Sequence, residues 1–235
     1  TLNWENNTWS NPVAAYNATY SNQNIQYLTN LNIAYDLFKN ITLKLGGGVN
    51  YQAFEEWNIS PNTIYNPAYV TGQSSAYSKA SKNNQNRLSY ILEPQINWKF
   101  SHEKHALDIL VGGTFQNENN SYGSMSGTGF ESNALIHNIS AAKTKTIEDQ
   151  YNTQYRYVAF FGRVNYQLDK KYILNITGRR DGSSRFGPNK KFANFGAVGA
   201  AWLFSEENFL KNSSWLSFGK FRGSFGTTGS DNIGD

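Results

Sequence analysis

The side chains that could do covalent chemistry are sparse. The chain has three histidines and no cysteine, and no Ser/His/Asp set or carboxylate pair assembles from their spacing, so an enzyme is the weakest functional class. His102-Glu103-Lys104-His105 gathers metal-type residues, but it lacks the helical H-E-x-x-H spacing and reads as a short turn, so no zinc or other cofactor is expected. Gly46-Gly47-Gly48 and the pair Gly226 and Gly229 lack the strand-to-helix context of a nucleotide loop. What remains is non-covalent recognition. Arg179, Asp181, Gly182, Ser183, Ser184, Arg185, Phe186, Gly187 and Asn189 concentrate charge, hydroxyls and glycine within a short run. That run could contact a solute or partner from a loop; alternatively it is a turn in which Gly182 takes a positive φ and Asp181 pairs with an arginine. Trp57, Tyr65, Tyr69, Tyr77 and Tyr122 fall in segments expected to be long loops, where aromatic faces and amides suit sugar binding.

The elements that must position these residues are long strands with a two-residue period. Over 25–37 the odd positions are Ile25, Tyr27, Thr29, Leu31, Ile33, Tyr35 and Leu37, while the even ones include Gln26, Asn30, Asn32 and Asp36. The pattern returns over 41–53, predicting a hairpin across residues 38–40. Further hairpins are expected over 87–100 with 107–115, 155–168 with 172–180, and 194–204 with 215–225, the last containing a helix-start signal at Ser205-Glu206-Glu207. Pro94 inside the second hairpin predicts a bulge or weak pairing. On the third and fourth hairpins the period sets Arg163, Asn165, Asn175, Thr177, Arg222 and Ser224 on a polar face, with Phe160, Val164, Leu174 and Ile176 on the other.

Short turns alternate with long polar segments at 56–86, 116–152 and 182–193, and aromatics cluster towards both strand ends. Strands of at least about 9–11 residues with this loop asymmetry predict an all-β, antiparallel transmembrane β-barrel segment of about eight strands, with long extracellular loops and short periplasmic turns. A soluble sandwich also alternates, but these strands are too long, and their wet face carries uncharged Asn, Gln, Thr and Ser. The barrel also accounts for the composition: mean hydropathy is −0.60 although 15% of the 235 residues are aromatic. A disordered chain would lack the aromatics. The net charge of +4 is interspersed, so no nucleic-acid partner is expected.

The run Arg179-Arg180-Asp181-Gly182-Ser183-Ser184-Arg185-Phe186-Gly187-Pro188-Asn189 resembles the R-x-D-G-S-S-R-F-G-x-N signature of the SusC/RagA-type TonB-linked outer-membrane transporters. Phe161-Gly162-Arg163-Val164-Asn165-Tyr166 is similar to that family's F-G-R-x-N-Y strand. Phe195 to Trp202, Ser205-Glu206-Glu207, and Lys220-Phe221-Arg222-Gly223-Ser224-Phe225-Gly226-Thr227-Thr228-Gly229 follow its later motifs in order, and Asn11-Pro12 fits ahead of the first hairpin. Departures are Gly196-Ala197 for Pro-Ser, Phe192-Ala193 for Trp-Gly, and Ser230 for Asn. The resemblance implies that residues 1–235 are one partial barrel domain from a wall of about 22 strands, without the N-terminal plug. It implies a bacterial outer-membrane site, surrounding lipid, a SusD-like surface lipoprotein, coupling to the TonB complex through the missing plug, and import of oligosaccharides or peptides. The opening Thr-Leu-Asn-Trp, lacking an initiator Met and signal peptide, agrees with a piece of a longer or processed protein. The competing reading from another class is a surface glycan-binding or adhesin β-domain with no transport role.

Overall fold

The computed structural model describes residues 12–210 and 215–232. Asn11 and the end of the fourth connection, residues 211–214, lie outside them. Eight strands follow one another in a single sheet in chain order: β1 (Thr19–Phe38), β2 (Ile41–Ser60), β3 (Lys79–His102), β4 (His105–Thr128), β5 (Thr144–Leu168), β6 (Tyr172–Ser183), β7 (Phe192–Trp202) and β8 (Phe221–Gly226). Short connections enforce antiparallel neighbours, since a parallel pair needs a long crossover. Between β5 and β6, Asp169 and Lys170 have φ of 51° and 58°, and the Lys171 amide donates to the Leu168 carbonyl at 3.0 Å. This is the mirror-image turn whose twist matches paired strands. The sheet does not close among the described residues.

Several boundaries differ from the sequence expectation. β2 continues to Ser60, β3 begins at Lys79, β4 extends to Thr128 and β5 begins at Thr144, so the connecting segments shrink to residues 61–78 and 129–143. Trp57 and Tyr122, expected in loops, therefore lie within β2 and β4. Over residues 117–121 of β4 both faces are polar, which erases the alternation there. The last strand is shorter than expected: β8 covers only Phe221–Gly226, and Trp215 stands outside it. The helix-start signal yields a single 3-10 turn, Phe204–Glu206. Pro94 lies inside β3, which runs through it.

The chain divides into two compact units. One comprises residues 1–27, 50–88 and 119–154. Its core is Ile59, Ala80, Phe130, Ile136 and Ala142, with Trp57 packed against it. Its strands are laced by side-chain amides: Gln52 to Asn24 at 3.1 Å, Gln26 to Asn50 at 3.1 Å and Gln85 to Asn120 at 3.0 Å. The loops of this unit are tied by a buried polar knot. The Asn62 amide donates to Ser78 Oγ at 2.8 Å, Ser78 Oγ donates to Asn133 Oδ1 at 2.6 Å, and Asn133 Nδ2 donates to Asn62 Oδ1 at 2.7 Å. Every member is satisfied, so burying it carries no desolvation penalty of an orphaned group.

The other unit comprises residues 28–49, 89–118 and 155–235. Its register pairs Val164 with Ile176 and Ile176 with Val198, and Val198 with Phe225, so these four share one face. Ile176 is 47% exposed, Val198 46% and Phe225 78%. An uncovered apolar face of this extent is what lipid covers and water does not. Aromatics line its short-turn margin, where the Tyr172 and Trp202 rings stack at 6.5 Å and Trp202 meets Phe204 edge-on at 6.0 Å. They converge on Glu207, which accepts from the Tyr172 hydroxyl at 2.6 Å, Trp202 Nε1 at 3.0 Å and Lys171 Nζ at 3.4 Å. The hydrogen bonds from Tyr172 and Trp202, and then Lys171, hold this carboxyl below its ordinary value of 4.5 against the opposing effect of burial.

Two expectations follow for the intact barrel. Ile176→Arg places charge on the lipid face and costs about 2–4 kcal/mol if near the bilayer midplane; Ser224→Arg, on the opposite face, costs little, as read by the temperature at which folded barrel is lost on gels. The Glu207 contribution is fully present above pH 4.5 and is lost as pH falls through the lowered folded value. A scan of that melting temperature against pH therefore shows a smaller acid-side drop in Glu207→Gln.

Candidate functional site

The opposite face of this unit gathers the polar residues. Arg163 pairs with Thr177, Asn165 with Asn175, Asn175 with Gly199, Gly199 with Ser224, and Ala201 with Arg222. Alternation thus puts all six candidates, Arg163, Asn165, Asn175, Thr177, Arg222 and Ser224, on one face across β5 to β8. The Asp108 carboxylate lies 3.7 Å from Arg163 Nη2 and accepts from Asn97 Nδ2 at 2.7 Å. The Asn175 Oδ1 is buried without a partner among the described residues. Gly46 and Gly48 sit where Cβ atoms would come within 3.3 Å of Asn32 Oδ1 and 2.6 Å of Asn30 Oδ1, so the glycine run makes room for β1 amides.

The signature run is split by the structure. Arg179, Asp181, Gly182 and Ser183 are the last residues of β6, and Ser184, Arg185, Phe186, Gly187 and Asn189 form the loop after it. Arg179 Nε donates to Asp181 Oδ1 at 2.5 Å, and its Nη2 donates to the Tyr157 hydroxyl. The guanidinium also lies 5.5 Å over the Phe161 ring. The expected Asp181–arginine pair is present. The expected positive φ at Gly182 is not; that backbone occurs at Asn189, with φ of 69°. Gly182 is needed for a different reason: a Cβ there would meet the Phe192 ring at 2.5 Å. A recess of about 550 Å³ opens beside these residues, walled by Phe161, Arg163, Thr177, Arg179, Asp181 and Phe195.

The segment after β8 folds onto the same wall. The Thr227 amide donates to the Gly196 carbonyl at 2.9 Å, and Gly229 lies so close to Phe195 that a Cβ would reach its ring at 2.5 Å. Asp231 Oδ2 then accepts from the Tyr155 hydroxyl at 2.6 Å, while Arg185 stacks 4.6 Å over the Tyr155 ring. The Tyr155 hydrogen bond above all, with Ser183 and Arg185, holds the Asp231 carboxyl below the ordinary aspartate range, although burial opposes it.

With this geometry established, the relatives are informative. The model of the family described as "TonB dependent receptor-like, beta-barrel" matches residues 1–234. The chain belongs to the TonB-dependent receptor β-barrel family. It is 31% identical over 208 residues to TonB-dependent receptor P3 of Formosa agariphila, covering 88% of this chain and 20% of that receptor. It is 38% identical over 128 residues to TonB-dependent receptor SusC of Bacteroides thetaiotaomicron, covering 54% of this chain and 12% of SusC. Its fold overlays the structure of the RagAB peptide transporter with a TM-score of 0.84 at 30% identity, over 95% of this chain and 24% of that one. The ferric citrate transporter FecA, at 9% identity and a TM-score of 0.51, shares the fold. The chain spans about a fifth of the curated receptors' length. TonB-dependent receptors are outer-membrane transport proteins and carry out no catalysis, and along barrel strands of this kind one face meets lipid while the other meets the interior.

Within this receptor barrel the five candidate loop aromatics do not form one surface. Trp57 is partly buried, with Nε1 donating to Glu55 Oε1 at 2.9 Å, Lys82 Nζ 5.0 Å over its ring and His137 5.7 Å away. Tyr122 stacks on Tyr151 at 5.0 Å. Tyr65, Tyr69 and Tyr77 lie exposed in the 61–78 segment. Sequence reasoning missed Tyr155, Tyr157 and Asp231, which complete the interior cluster; the signal was their odd-position spacing with Phe161 and Arg163 along β5 and the Asp two residues beyond Gly229. The cluster predicts that Arg179→Ala in the full-length receptor loses about 1–3 kcal/mol through the unpaired Asp181. A lower barrel-melting temperature checks this, and Arg179→Lys is expected to restore it only in part.

Proposed function

We propose that this segment is part of the wall of an outer-membrane importer that takes up oligosaccharides or peptides, working with a SusD-like surface lipoprotein and drawing energy from the TonB complex through a plug elsewhere in the parent protein. The observation that carries this reading is the interior face of β5 to β8, where Arg163, Asn165, Asn175, Thr177, Arg222 and Ser224 line up opposite a lipid-facing apolar surface. Amides, hydroxyls and two guanidiniums offer donors and acceptors to a neutral or weakly charged polar chain, or to the plug, without the continuous positive field an anion importer would need. The recess beside Arg179, lined by Arg163, Thr177 and Asp181, offers such contacts. Similarity to SusC and to the RagAB peptide transporter supports the transport class.

The mechanism needs no bond to be made or broken by this segment. Force on the plug opens the path, and the wall exchanges hydrogen bonds with the passing solute as water does, so no single contact holds it too tightly to leave. Deleting the parent gene and measuring growth and uptake on a panel of glycans and peptides tests the reading. The expected result is loss of growth on one polymer class; unchanged uptake of all of them overturns it.

A further inference from the structure

We propose that the lipid-facing side of β5–β7, at its long-loop end, is a binding site for an acylated, phosphate-bearing lipid of the outer leaflet. Arg180 pairs with Phe160, and Val158 and Phe192 both pair with Gly182, so alternation places Arg180, Val158 and Phe192 on the same face as Ile176 and Val198. Arg156, two residues before Val158, joins them. These cations therefore point out of the barrel, away from the recess that holds Arg179 and Asp181. Beside them is a groove of about 480 Å³ whose lining includes Tyr90, Phe115, Val158 and Phe192 together with Arg156 and Lys191. The groove is held in shape: the Tyr90 hydroxyl accepts from Asn117 Nδ2 at 2.8 Å, Phe115 meets Phe160 edge-on at 5.8 Å, and Phe192 seats on Gly182, where no Cβ would fit.

The charges decide the occupant. Arg163 and Arg179 on the interior face lie against Asp108 and Asp181, and Lys171 at the short-turn end lies against Asp169 and Glu207. Arg156, Arg180 and Lys191 form no ion pair with a described carboxylate, and the Arg180 guanidinium lies 5.2 Å over the Phe192 ring. Their height fits a headgroup. From Tyr172 to Arg180 the strand climbs ~27 Å at ~3.4 Å per residue, which at a tilt near 40° is ~21 Å, close to the top of an apolar band ~25 Å tall. Exposed cations just above an apolar groove, with no protein anion opposite, match a lipid phosphate whose acyl chain lies along Phe115, Val158 and Phe192.

The test uses the full-length receptor, purified from outer membranes in mild detergent, with bound phosphorylated lipid counted per barrel by native mass spectrometry. Arg156→Gln and Arg180→Gln are each expected to lower retained lipid roughly fivefold, and the double variant more than tenfold. Lys39→Gln, at the short-turn end, is expected to retain it. The single variants keep the readout available should the double variant insert poorly, and heat-shift on gels identifies folded barrel. Equal retention in the Arg variants overturns the proposal. So does an equal loss in Lys39→Gln, which would mean diffuse attraction, and so does release of the lipid by millimolar inorganic phosphate, which would mean a free-anion site.

Discussion

In hydrocarbon no water can satisfy a backbone amide or carbonyl, so every such group must be paired by the chain itself. That requirement dictates most of what is seen here. It forces each strand against its sequence neighbours in the order β1 to β8, and it fixes the two-residue period that separates a lipid face from an interior face. The mirror-image turn at Asp169 and Lys170 follows as well, because strands with obligatory ladders cannot splay at their ends. Side-chain chemistry is distributed on this frame afterwards, and the same strand can carry Ile176 towards lipid and Asn175 and Thr177 towards the interior.

The frame also explains why two arginines of the polar face are each set against a carboxylate. A wall with lipid behind it has a lower effective dielectric than an exposed surface, so an unpaired guanidinium interacts strongly with whatever passes. Arg163 and Arg179 are each placed against a carboxylate, and Arg179 is further fixed by Tyr157 and Phe161. The signature run thereby builds a rigid corner between strand and loop, and the segment ending at Asp231 is fastened to that corner through Tyr155. Two motifs far apart in the chain are halves of one structural cluster.

How much of this was legible depended on where lipid imposes contrast. In the strongly alternating stretches the period of Phe160, Val164, Leu174 and Ile176 located β5 and β6 and their pairing, and the six polar candidates share the opposite face of the sheet. Where the strands pass beyond lipid, as in Asn117 to Gly123, both faces are polar, alternation vanishes, and segments that read as loops are extended β4. For that reason Tyr122 was expected in a loop and lies in a strand, as Trp57 does in β2. The role of Gly182 was misjudged because sequence reveals that a glycine is needed but not whether φ or space requires it. The Tyr155–Asp231 contact joins residues far apart in sequence, and no local pattern announces such a pair.

The knot of Asn62, Ser78 and Asn133 that fastens two connecting segments of the other unit contains no titratable group. Its strength comes from neutral donors and acceptors, so neither acid nor salt in the surroundings has a charge on which to act. A loop latched by ion pairs would loosen whenever ionic strength rose. One latched by amides and a hydroxyl keeps its shape through such swings, a useful property for the part of a barrel wall that no membrane shelters.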